Sequence, residues 1–406
     1  MTRKDAMLRA IRGLPTDRIP WAPRLDLWFR SHQMAKTLPA KYRSATPAEM
    51  VDDLGWGFHA VIPDFRDLVG PLDDADRALG VYNLRAMPVR TVFENVERRV
   101  RLDGDRTRVE YVTPKGTLGT TTVYSESMLR AGITISHVEE HAFKGPEDYP
   151  AIGWIFENAR VEPNFDGYSE FAARVGDRGI AVGFISASAS PMHHVLRELM
   201  PYDRFFFETV DHPDELRELA EKVGSWHRRL TAVAPDAPAE VMLLGSNYDA
   251  SLTWPPFFAE HIVPCLREFS GALHAKGKFL LSHTDGENTG LLDHYLDAGI
   301  DVADSICPAP MTKLAFGSVR EAFGGRVTIM GGIPSIALIR ATMGDADFAR
   351  FLDDFFASLG LGDRLILGVS DTTPPDAEFD RLVEIARRID RFGPVPSTER
   401  GVPSAG

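Results

Sequence analysis

The chain has 406 residues, 44% of them hydrophobic and 25% charged, with a formal net charge of −13. That composition fits a folded chain with a large core, and the acidic balance disfavours nucleic acid and anionic membrane surfaces as partners. Its two cysteines, Cys265 and Cys307, cannot build a disulfide framework, and no run approaches the ~20 apolar residues that a membrane span needs.

The opening MTRKDAMLRAIRG lacks the apolar stretch of a signal peptide, so a cytoplasmic protein is expected. Ala6, Leu8, Ile11 and Leu14 give residues 3–13 an amphipathic helical pattern, which Pro15 and Pro20 end. A short strand near Trp21–Leu27 is predicted next, then a helix near Pro47–Leu54 and a strand at Phe58–Ile62. Residues 91–125 differ in character. The stretch from Val92 to Glu97 and the stretch Arg106–Val112 flank Leu102-Asp103-Gly104-Asp105, which predicts a β-hairpin, and Thr120–Tyr124 adds a third extended piece. This block reads as an antiparallel insertion.

From residue 145 onward helices and short apolar strands alternate. Helices are expected near 146–158, 166–175, 190–208, 214–233, 255–276, 289–297, 311–322, 335–342, 346–358 and 377–389. Strands are expected at Gly179–Phe184, Val241–Leu244, Lys278–Leu281, Val302–Ile306, Val327–Met330 and Leu365–Leu367. With the two N-terminal strands, eight strands alternate with helices, the order a (β/α)8 TIM barrel requires. An open doubly wound sheet would carry a Gly-rich phosphate loop, and neither such motif occurs. The expectation is one barrel domain over residues 1–395 with the hairpin insertion, followed by a flexible Pro/Gly/Ser-rich tail at 396–406.

Barrel active sites lie at the C-terminal ends of the strands. That rule selects Arg24 and Asp26; Asp64; Ser186 and Ser188; Asn247, Tyr248 and Asp249; His283, Asp285 and Glu287; Asp304 and Cys307; Gly331 and Gly332; and Ser370 and Asp371. His283 and Asp285 alternate along an extended segment, so both can face one pocket. Imidazole titrates near neutrality and binds Zn²⁺, although a histidine beside a helix-capping aspartate is also an ordinary loop feature. Cys307 reads either as a small buried residue or as a thiolate ligand at a strand end. Asp371 reads as a ligand, a substrate contact or a plain loop residue. Tyr248 and Asp249 are candidates for proton transfer, against the bland reading of turn chemistry. Asn247, Gly331 and Gly332 are candidates for lining a cofactor pocket, the glycines by close backbone approach.

Several segments together resemble the uroporphyrinogen decarboxylase superfamily. They are Asp17-Arg18-Ile19-Pro20, TPKGTLG at 113–119, Gly145-Pro146-Glu147-Asp148-Tyr149, Tyr248-Asp249-Ala250, SHTDGE at 282–287, Ala298-Gly299-Ile300-Asp301, MGGIPS at 330–335 and LGVSDTTPPD at 367–376. The resemblance implies a (β/α)8 barrel. True decarboxylases of the family carry a basic N-terminal segment, of which only Arg24 has a counterpart here. They also carry a serine where Ala250 lies and a histidine near Val369–Asp371, and both are missing.

The chain is therefore more similar to the cobalamin-dependent methyltransferase branch. That branch holds zinc by H-x-C after one strand and by a cysteine after the last. Here His283 matches the first ligand, Asp285 replaces the second, and Asp371 falls near the third. The resemblance thus implies a metal site of His283, Asp285 and Asp371, with Cys307 as a further candidate ligand. Carboxylates are accepted by catalytic zinc but are harder donors than thiolates. The chain has no D-x-H-x-x-G cobalamin signature, so the branch implies a corrinoid carried by a separate protein. It also makes a homodimer plausible. Three functional expectations follow. The first is a metal-dependent methyltransferase acting between a small molecule and a corrinoid protein. The second is a metal-free decarboxylase or lyase in which Arg24 anchors a carboxylate and Asp249, Tyr248 or His283 moves protons. The third is a non-catalytic ligand-binding barrel.

Overall fold

Capping side chains delimit the first helices in the computed structural model, which describes residues 1–397. Thr2 accepts from the Asp5 amide at the start of the helix Arg3–Arg12. Thr46 and Glu49 form a reciprocal capping box on the helix Pro47–Leu54, which has Pro47 in its first turn. Between these two helices the expected strand Trp21–Leu27 shrinks to a single parallel bridge from Trp21 to Leu367. Pro20 and Pro23 supply no amide donors for a longer ladder. Asp26–Ala35 is helical instead and buries Trp28 and Phe29. The expected strand Phe58–Ile62 likewise reduces to one parallel bridge, Ala60 to Ala181.

The insertion is larger than a hairpin and differently paired. Strand β1, Val89–Phe93, does not join it. Asn95, at a φ of 54°, turns the chain. Strands β2 (Glu97–Asp103), β3 (Arg106–Thr113), β4 (Gly116–Val123) and β5 (His137–Glu140) form a four-stranded antiparallel sheet in that order. Strand β1 pairs antiparallel with β6, Ala159–Pro163, in a separate two-stranded sheet. The predicted stretch 92–97 therefore straddles two sheets. Sequence alternation cannot assign a strand to its partner.

The main sheet contains β7 (Gly183–Ser186), β8 (Val241–Ser246), β9 (Phe279–His283), β10 (Val302–Ile306), β11 (Thr328–Pro334) and β12 (Leu365–Ser370). All pairings are parallel, and the strands lie side by side in chain order. The architecture is mixed α/β, with helices between consecutive strands. The predicted helix 190–208 is divided. A π-helical turn, Val195–Leu199, follows Pro191–His194, and Pro201 precedes the helix Tyr202–Asp211. Among the described residues no helix is long and apolar enough to cross a membrane. Residues 398–406 of the predicted tail lie outside the described residues.

Side chains alternate across each strand, and two apolar clusters occupy the two faces. One face packs Val241, Leu243, Leu281, Val302, Met330 and Ile366 against Met7 and Ile11 of the first helix, and includes Val61 and Val182. The void left there is only about 10 Å³. The other face packs Met242, Leu244, Leu280, Ala303, Ile329 and Leu367 against the surrounding helices. This parity decides which polar side chains can meet at the strand ends.

Candidate functional site

His283 ends β9 on the same face as Leu281, and the register of β9 with β10 sets Asp304 directly beside it. His283 Nδ1 lies 2.6 Å from Asp304 Oδ2, and the two side chains are only 5% and 2% exposed. Asp304 accepts from Nδ1, which leaves Nε2 facing Asp371 Oδ1 at 3.3 Å. Asp371 follows β12 and has two more partners: Arg24 donates to Oδ1 at 3.0 Å, and Ser305 Oγ lies 3.1 Å from the same oxygen. Arg24 also pairs with Asp26 through Nε at 3.0 Å. On the far side of Asp304, His59 Nε2 lies 3.6 Å from Oδ1. Six side chains thus form one connected polar chain, from Asp26 through Arg24, Asp371, His283 and Asp304 to His59.

Backbone irregularities make this assembly possible. The β10 ladder shifts register between Asp304 and Ile306, where Ser305 takes a φ of 64°. Such a bulge re-aims the strand end, here letting Ser305 reach Asp371. Gly331, at a φ of 109°, faces this bulge. A Cβ there would sit 3.2 Å from Ser305 Cα and 2.8 Å from Ser370 Oγ. A Cβ on Gly332 would meet the Phe316 ring at 2.7 Å. The structure therefore gives both glycines a packing reason, close approach of neighbouring groups.

The electrostatics favour a cation in this site. Burial opposes charging His283, but Asp371, Asp304 and Asp285 together raise its pKa above the ordinary value. Burial would raise Asp304, yet hydrogen bonds from His283 and His59 hold its carboxyl well below the usual range. Asp371 is lowered for a similar reason, with His283 and Arg24 outweighing burial. Asp285 goes the other way: burial and the neighbouring Asp371 raise it despite His283. Four carboxylates, Asp26, Asp285, Asp304 and Asp371, thus gather around Arg24 and His283, with His59 and Arg30 also acting on Asp26. One donor atom each from His283, Asp285 and Asp371 lies within 4.8 Å of the others, a spacing that could hold a metal ion.

The other sequence candidates fall elsewhere. Cys307 is buried beside the cluster but outside this triplet, and its thiol is pushed up to about 12 by burial and by Asp285 and Asp371. Tyr248 is wholly buried, and its hydroxyl contacts Ser282 Oγ at 2.8 Å. Ser282 shares the parity of Leu280, so this contact lies on the helix-facing side of β9, opposite His283. The Tyr248 ring packs edge-on against Phe258. Asp249 accepts from the Ser251 and Glu287 amides and so ties the loop after β8 to the loop after β9. Asn247 is exposed, and its amide donates to the His283 carbonyl.

Asp26 and Asp304 stand at strand ends in the sequence with no role assigned to them, and His59 lies before such an end. Its parity with the inward-facing Val61, two residues on, was the available signal.

No family model matches this sequence, and no curated protein does. Among solved structures, a methyltransferase from Methanosarcina mazei is similar in fold, with a TM-score of 0.51 at 15% identity. The similarity covers 97% of this chain and 99% of that one.

Proposed function

We propose that this protein is a metal-dependent methyltransferase that moves a methyl group between a small-molecule substrate and a corrinoid held by a separate protein. The observation that carries the reading is the convergence of His283, Asp285 and Asp371 donor atoms at the strand ends. The likeness of fold to a structure named as a methyltransferase supports it. The reading includes membership of the uroporphyrinogen decarboxylase superfamily and a closed eight-stranded barrel. In support of closure, Trp21 bridges to Leu367 of the edge strand β12, Ala60 bridges to Ala181 just before the other edge strand β7, and the Gly57 amide donates to the Trp21 carbonyl at 2.7 Å.

The donor set suits zinc or a comparable divalent ion, since catalytic zinc accepts imidazole and carboxylate together. Bound there, the metal would lower the pKa of a substrate thiol or hydroxyl, or polarise a methyl donor. Asp304 fixes the ring of His283 so that Nε2 is the free donor. Arg24 and Ser305 orient Asp371. Asp285, with its raised pKa, is the carboxyl that most gains from a neighbouring cation.

Metal analysis of the purified chain is the first test. Wild type is expected to hold one equivalent of metal, and His283→Ala and Asp371→Ala are expected to lose it. Methyl transfer to free cob(I)alamin, followed by its absorbance, then tests the acceptor. A metal-free wild type with the same turnover as His283→Ala defeats the reading.

Arg24 favours a second reading, a metal-free lyase acting on a carboxylate, because its guanidinium pairs with Asp371, which in turn faces His283. Turnover that survives chelation but is lost in Arg24→Ala would select it.

A further inference from the structure

A second cavity, of about 490 Å³, lies between the segment preceding β5 and the π-helical turn Val195–Leu199. It shares no residue with the His283 cluster. Small-molecule sites commonly fall between about 300 and 1,000 Å³ and combine apolar walls with a few fixed polar groups. Here Met128, Ile133 and Ile135 supply apolar wall. Ser136, His137, His141 and Tyr202 also line it, and its arginine and glutamate groups are two guanidiniums around one carboxylate. Arg77 pairs with Glu198 Oε2 at 2.8 Å, and Arg197 pairs with Oε1 at 2.9 Å. The Glu198 side chain is 2% exposed.

The charge balance points to an anion. Beside these groups Asp74 is ion-paired with Arg66 and accepts from Ser136. Three guanidiniums against two carboxylates leave one positive charge. Burial would raise the Glu198 pKa, but Arg77 and Arg197 hold it at about 2, so it stays ionised. His141 adds no further positive charge, since burial lowers its pKa. The Arg77 guanidinium stands over the Tyr82 ring at 5.3 Å, which fixes its plane.

We propose that this cavity binds an organic monocarboxylate with an apolar body, its carboxylate against Arg77 and Arg197 and its body against Ile133 and Ile135. A free inorganic anion would leave the apolar wall unused, and a neutral ligand would leave the surplus charge unmatched.

Calorimetric titration of the full chain with phenylacetate, phenylacetamide and inorganic phosphate tests this. Phenylacetate is expected to bind saturably, with the amide and phosphate each weaker by roughly tenfold or more, the effect of one charge-assisted contact or of the buried ring. Arg197→Gln is expected to weaken phenylacetate by a similar factor. Because that change removes a partner of buried Glu198, Ile135→Trp serves as a second variant. It fills the cavity without touching a charge and is expected to block binding while circular dichroism stays native. No saturable phenylacetate binding at millimolar concentration, equal binding of the amide or of phosphate, or unchanged binding in Ile135→Trp would each overturn the proposal.

Discussion

Replacing Asp304 by asparagine isolates the contact on which the site depends. The carboxylate lies 2.6 Å from His283 Nδ1, with both side chains almost fully buried. Removing one member of a buried ion pair typically costs about 3–5 kcal/mol, because the remaining charge is left uncompensated. Asparagine keeps the shape and one acceptor, so a loss of about 3 kcal/mol is expected near neutral pH.

The loss depends on pH, and its sign follows from the two partners. The raised pKa of His283 means that its contribution is complete below the unfolded value of about 6.5 and fades as pH rises through the folded one. The depressed pKa of Asp304 means that its contribution is present above about 4 and fades as pH falls. The stability gap between wild type and Asp304→Asn is therefore widest between about pH 4 and 6.5. It narrows at alkaline pH toward ~1 kcal/mol, the value of a neutral hydrogen bond. Urea unfolding of both proteins, stripped of metal by a chelator so that His283 is free to protonate, measures the gap across this range at fixed ionic strength, since titrations elsewhere cancel in the difference. A gap that stays constant from acid to alkaline pH would refute the imidazolium–carboxylate pair.

Two further outcomes are expected. Tyr248→Phe removes the contact to Ser282 on the far side of β9, so it is expected to cost about 1 kcal/mol of stability. Its turnover is expected to match wild type; a large loss of turnover at native stability would return Tyr248 to the chemistry. Cys307 and Cys265 have thiols pushed up to about 12 and about 11, both chiefly by burial. Neither is expected to react with iodoacetamide in the native protein near neutral pH, and both are expected to react after unfolding, because the thiolate is the nucleophile. Rapid native labelling of Cys307, read by mass spectrometry, would contradict that environment.

The rhythm of apolar strands and amphipathic helices after residue 145 was legible because burial on both faces leaves short apolar runs. Five of the six main-sheet strands start within a residue of where that rhythm put them, β7 starts four residues later, and of the residues selected at strand ends His283, Asp285 and Asp371 stand together. The ends of the runs were less legible. Strand β9 continues through His283 and β11 through Pro334, past the polar and glycine residues that suggested loops. Here tertiary hydrogen bonding overrides local propensity.

What the sequence by itself determined is the order of elements and the polar residues at their ends, since both follow from patterns a few residues long. Only the tertiary structure decided which of those residues meet. The register of β9 against β10 joined Asp304 to His283, the bulge at Ser305 brought β10 to Asp371, and strand parity put Ser282, the partner of the Tyr248 hydroxyl, on the opposite face of the sheet. Each of these depends on a neighbouring strand distant in sequence, and a one-residue change of register would reverse the outcome.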